Sequence, residues 1–69
     1  MAEFELTIDG MHCGSCVRRA GQALAAVEGL TVEEVRVGAA RLSADDAAQA
    51  AVAAIAALDT AGYPARRAK

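Results

Sequence analysis

Sixty-nine residues, 55% of them hydrophobic and 23% charged with a single proline, allow one folded domain, expected to span residues 1–69, and exclude a disordered chain. A net charge of -2, from seven Lys/Arg against nine Asp/Glu, lacks the basic footprint of a nucleic-acid binder. No apolar run reaches the roughly 18–20 residues that span a bilayer, and the acidic N-terminus Met1-Ala2-Glu3-Phe4-Glu5 has no signal-peptide character, so a cytoplasmic chain without membrane insertion is expected.

Phe4, Leu6 and Ile8 alternate with Glu3, Glu5 and Thr7, which predicts a half-buried strand over residues 3–8, broken by Asp9-Gly10. From Gly14 or Ser15 the period changes. Val17, Ala20, Leu24 and Val27 mark one face of a helix that ends at Glu28-Gly29, with glycine in the left-handed cap position. Gly21 inside it suggests close packing on a strand. A strand is expected over Thr31–Val37, with a slip or bulge where Glu33-Glu34 interrupts the alternation of Val32, Val35 and Val37. Gly38 turns the chain into a short strand, Ala39–Leu42. Ser43-Ala44-Asp45-Asp46 reads as a capping box whose N-cap is Ser43 and whose third helical position is Asp46. The following helix runs to about Thr60 with Ala47, Ala51, Ala54, Ile55 and Leu58 inward, Gly62 stops it, and Tyr63–Arg67 forms a last strand that Pro64 places at an edge.

That order gives the fold class: α+β, a ferredoxin-like βαββαβ domain with an antiparallel four-stranded sheet and both helices on one face. Phe4, Leu6, Ile8, Leu24, Ile55 and Leu58 are its expected core. Alanine supplies much of the apolar content and little buried area per residue, so modest stability without metal is expected.

The segment Gly10-Met11-His12-Cys13-Gly14-Ser15-Cys16 joins the first strand to the first helix. Two intervening residues let both sulfurs reach one ion, and thiolates select Cu(I), zinc and similar soft ions over magnesium or calcium. The N–H groups at a helix start stabilise a thiolate, and Cys16 lies nearest to them. Gly14 closes the loop tightly and Ser15 is a candidate cap. A closed structural zinc site wants four protein ligands, and this chain has two cysteines. Cu(I) is held by two thiolates and accepts a third from a partner. From the residues alone, a thioether bond from Met11 stays open.

These residues, with Val17 and the basic Arg18-Arg19, resemble the heavy-metal-associated domain of copper chaperones and of the N-terminal regions of metal-transporting P-type ATPases. The likeness continues through Val27-Glu28-Gly29-Leu30 to Ala61-Gly62-Tyr63 and covers nearly the whole chain. A Met-x-Cys-x-x-Cys loop between strand and helix is specific, where a bare Cys-x-x-Cys is not. The resemblance implies that Cys13 and Cys16 ligate the metal, that Met11 is buried beneath the loop, and that Tyr63 lies near the metal, where bacterial copper chaperones often carry tyrosine. Zinc- and cadmium-selective relatives often have an acidic residue in or beside the loop; here His12 stands between Met11 and Cys13. The span Val32–Leu42 is short for two strands and a hairpin, so either a clipped third strand or an irregular first turn of the second helix is expected.

The implied function is that of a Cu(I) chaperone, not an enzyme, delivering its ion by ligand exchange to a metal-binding domain of a copper-transporting P-type ATPase. Starting at Met1 and ending on charged residues suits a free-standing protein. His12 could serve as a supporting imidazole, a dimer bridge or a switch near neutral pH. Arg18 and Arg19 could be solvated helix residues or could dock an acidic partner face. A monomer is expected without metal, and a metal-bridged dimer is the alternative with it. A mercury- or zinc-binding domain is chemically close. A thiol–disulfide oxidoreductase is the rival of a different class, but the chain is short for a thioredoxin-like domain and lacks its aromatic-Cys-Gly-Pro-Cys loop.

Overall fold

Alternation in the first segment is realised as β1 (Ala2–Ile8), which buries Phe4, Leu6 and Ile8 and exposes Glu3 and Glu5. The computed structural model describes residues 2–11 and 14–68, and the order continues as α1 (Gly14–Ala25), β2 (Leu30–Arg36), β3 (Ala39–Ala44), α2 (Ala47–Thr60) and β4 (Ala65–Ala68). Among the described residues the strands form one antiparallel sheet ordered β2-β3-β1-β4. This is the expected ferredoxin-like βαββαβ fold. β4 pairs with β1 alone, so the strand after Pro64 is an edge, as the proline predicts.

The interrupted alternation in β2 has a definite cause. Val32 pairs with Leu42 and Val35 with Ala40, so three residues of β2 span two of β3, and the register shifts between Val32 and Glu34. The bulge keeps Val32 and Val35 packed against the core. Glu33 accepts a hydrogen bond of 2.8 Å from the hydroxyl of Ser43, which is otherwise buried in β3.

Several expected boundaries move. β3 runs on to Ala44 and adds Ala40, Leu42 and Ala44 to the core, so the third strand is not clipped. Ser43 is therefore a strand residue and not a cap. Asp46 is the N-cap of α2, accepting from the Gln49 N–H at 3.2 Å, and the first turn of that helix is regular. α1 ends at Ala25, where the Val27 N–H turns back to Leu24 at 3.1 Å; Gly29, at φ 78°, serves the turn into β2 and not a helix cap. Ser15 lies inside α1, and Val37 is an exposed turn residue beyond β2. A Cβ on Gly21 would meet Val35 Cγ2 at 4.0 Å, an ordinary contact, so packing does not demand glycine there.

α1 packs on β2, and α2 packs chiefly on β1 and β4. Leu6, Leu24, Leu42 and Leu58 are the largest wholly buried side chains. Of the expected core, Ile55 is only half-buried against it. On the opposite face Arg36 and Arg41 bridge Glu3, Glu5 and Glu34 at 3.5–3.9 Å; these exposed pairs contribute little to stability.

Candidate metal centre

The site lies where β1 ends, α1 begins and α2 hands over to β4. The Ile8 N–H donates to Gly38 O at 2.9 Å and the Asp9 N–H to Pro64 O at 2.8 Å, so the strand end is tied on both sides. Gly10 then takes φ 85°, a left-handed conformation that glycine adopts without strain. Met11 follows with its side chain in the hydrophobic core. Cys16 is in the first turn of α1, half-buried against that core, at the positive end of the helix dipole.

Tyr63 is brought in from the far end of the chain by a helix cap. Ala61 ends α2; the Gly62 N–H donates to Asp59 O at 3.0 Å and the Tyr63 N–H to Leu58 O at 2.8 Å, with Gly62 at φ 95°. That is the Schellman arrangement, with Tyr63 and Leu58 forming its buried apolar pair. The cap buries the Tyr63 ring beside Gly10, where an added Cβ would lie 4.0 Å from Tyr63 Cδ1. The Tyr63 side chain hydrogen-bonds with Cys16 and with Arg19. Its pKa is raised above the usual 10.0, first by the hydrogen bond to Cys16, then by burial and by the charge on Cys16; the hydrogen bond and charge of Arg19 oppose this.

A heavy-metal-associated domain model matches residues 5–64. The chain belongs to the heavy-metal-associated domain family. Oxidized MerP from Ralstonia metallidurans CH34 is 27% identical with a TM-score of 0.85, covering 99% of this chain and 97% of that one. A structure reported under "Crosstalk between Cu(I) and Zn(II) homeostasis" is 27% identical with a TM-score of 0.83, covering 99% and 100%. The N-terminal domain of ZntA in its Zn(II) form is 25% identical with a TM-score of 0.75, covering 97% and 92%. No curated protein matches the sequence significantly.

Within this heavy-metal-associated domain, Met11, Cys16, Arg19 and Tyr63 converge on one end of the fold, while Arg18 is an exposed residue of α1. His12 and Cys13 lie outside the described residues. Asp9, the carboxylate nearest the loop in sequence, pairs with Arg66 at 3.1 Å. Sequence reasoning missed the link from Arg19 to Tyr63. Its signal was the three-residue spacing of Cys16 and Arg19, which puts them on one helix face. A groove of about 220 Å³ lies at the opposite end, lined by Glu28, Gly29, Ala44, Asp45, Asp46 and Gln49 among others, and holds none of these residues. Among the described residues no helix is long and apolar enough to cross a membrane.

Proposed function

We propose that this heavy-metal-associated domain carries a soft metal ion, Cu(I) first, on the thiolates of Cys13 and Cys16 and passes it to a partner by thiol exchange. The observation that carries this is the setting of Cys16: a sulfur at a helix start, half-buried over the core that holds Met11 and within hydrogen-bonding reach of Tyr63. Such a sulfur is held on its inner side by packing and approached from outside, which suits an ion that must be both retained and released. The ion is cargo, so an accessible loop serves better than a closed cavity. Copper is favoured over zinc because zinc asks for further ligands and the loop offers two thiolates. Met11, in the core, is support for the loop and not a ligand.

Delivery runs through an intermediate in which copper bonds the partner's sulfur before a carrier sulfur leaves. Cys13 departs first and Cys16, anchored in α1, departs last. The partner is a thiol-bearing domain of a copper-transporting P-type ATPase in the cytoplasm, and the exposed Arg18 with Arg19 offers it a basic approach. The carrier is monomeric without metal. Single Cys→Ser variants test the order: both lose Cu(I) retention, and Cys13→Ser still traps a bridged complex with a cysteine-bearing acceptor through Cys16. A bridged complex formed by Cys16→Ser but not by Cys13→Ser would reverse the order, and retention by the variant lacking both thiols would end the proposal.

A further inference from the structure

Carboxylates at the two faces of the fold are treated differently. On the sheet, Glu3, Glu5 and Glu34 pair with Arg36 or Arg41, and Asp9 pairs with Arg66. The groove beside the start of α2 has no lysine or arginine in its wall. Among the described residues its Glu28 and Asp45 have no ionic partner. Asp46 is committed to capping α2, but Glu28 lies past the C-terminal end of α1, where the helix dipole gives a carboxylate no support. Between these carboxylates the wall is Gly29, Ala44, Ala50 and Ala53. A volume of about 220 Å³ is small for a small-molecule site and suits one long side chain.

The groove continues onto the outer face of α2. That helix has no charged side chain from Ala47 to Leu58. Ala51, Ala54 and Leu58 face the core, while Ala48, Val52 and Ala56 recur every fourth residue on the exposed side. Val52 is 70% exposed. Gln49 and Ala53, which line the groove, stand three residues from Val52 and Ala56 and so adjoin that row. An uncharged helix face thus ends on two unpaired carboxylates.

We propose that this surface docks a basic amphipathic helix of a partner protein, with one lysine or arginine of that helix lying in the groove. The aliphatic stem of the residue packs on the alanine wall, and its cationic head meets Glu28 and Asp45. Apolar residues on the next turns of the same helix cover Ala48, Val52 and Ala56. An acidic segment would set like charge against both carboxylates, and a wholly apolar one would leave them unpaired, so both are disfavoured. The surface lies at the end of the fold opposite Cys16, so a partner held there leaves the cysteine loop open.

The test titrates the reduced full chain, followed by amide NMR shifts, with a synthetic helical peptide of about four turns that carries leucine on one face and lysine on the other. A matched peptide with glutamate in place of lysine is the control. The lysine peptide moves the amides of Gly29, Asp45, Gln49 and Val52 and leaves those of Met11 and Cys16 in place. Glu28→Gln and Asp45→Asn each weaken binding by about two- to fivefold, the effect of one exposed ion pair. Glu3→Gln, which removes a carboxylate already paired on the sheet, leaves binding unchanged. Val52→Ser weakens binding with an unaltered thermal midpoint, and added salt weakens it in the wild-type chain. Asp46 is left in place because it caps α2. Equal binding of the glutamate peptide, shifts centred on the sheet face or on Cys16, or binding unmoved in the Glu28→Gln, Asp45→Asn double variant overturns the proposal. No shift at about 1 mM lysine peptide overturns it as well.

Discussion

Tyr63 is the single tyrosine of the chain, so its phenolate absorbance reports the site without interference. In the reduced metal-free protein the titration is expected above the ordinary 10.0, and Cys16→Ser should lower it by removing the first cause of the shift. The linkage follows from the direction. A phenol whose folded pKa is raised favours its neutral form in the fold, so its contribution is fully present below about pH 10 and is lost as pH rises through the folded value. Denaturation midpoints across that alkaline range should fall less steeply in Tyr63→Phe; an identical fall would deny the coupling. Gly21 offers a second check. Alanine there meets Val35 at an ordinary distance and removes the entropic cost of a helical glycine, so Gly21→Ala should stabilise by about 0.5–1 kcal/mol, seen as a midpoint about 2–8 °C higher on thermal unfolding. A lower midpoint would mean that β2 needs the space after all.

The bulge in β2 and the two ends of α2 shape the fold, and the C-terminal end of α2 brings Tyr63 to the site. Glu33 is the extra residue of the bulge and the partner of the Ser43 hydroxyl, which is nearly inaccessible at 3% exposure. Glu33→Ala should cost about 1–3 kcal/mol by leaving that hydroxyl buried without its carboxylate, and adding Ser43→Ala should recover much of the loss. Equal stability of the single and double variants, measured by denaturant unfolding, would show that the pair is incidental. The sequence made the bulge legible because two glutamates broke an otherwise regular run of valines. It hid the start of α2, because Ser43 and Asp46 are both good caps, and only pairing with β1 and β2 draws Ser43 into the sheet. The end of α1 was misplaced for a related reason. Val27 continues the apolar spacing past Ala25, while the chain is already turning towards Gly29. Gly62 stopped α2 as expected, but what its cap does for Tyr63 follows from hydrogen bonds that spacing alone does not reveal.

Across the whole molecule, chemistry gathers at one end. The start of α1, the end of β1 and the end of α2 meet around Cys16, whereas the acidic groove lies at the other end of α1. The fold was readable from two changes of hydrophobic period, since strands and helices each needed one apolar side and the chain supplied both. The cysteine loop was readable from spacing. Tyr63 entered the site through resemblance to relatives, and the contact of Arg19 with it needed the fold, which joins residues far apart in the chain. The direct test is a competition titration of the reduced chain with Cu(I), Zn(II) and Hg(II), read by native mass spectrometry. The account predicts one Cu(I) per chain, retained when Zn(II) competes and lost in Cys16→Ser. Preference for Zn(II), or metal binding unchanged by loss of that thiol, would contradict it.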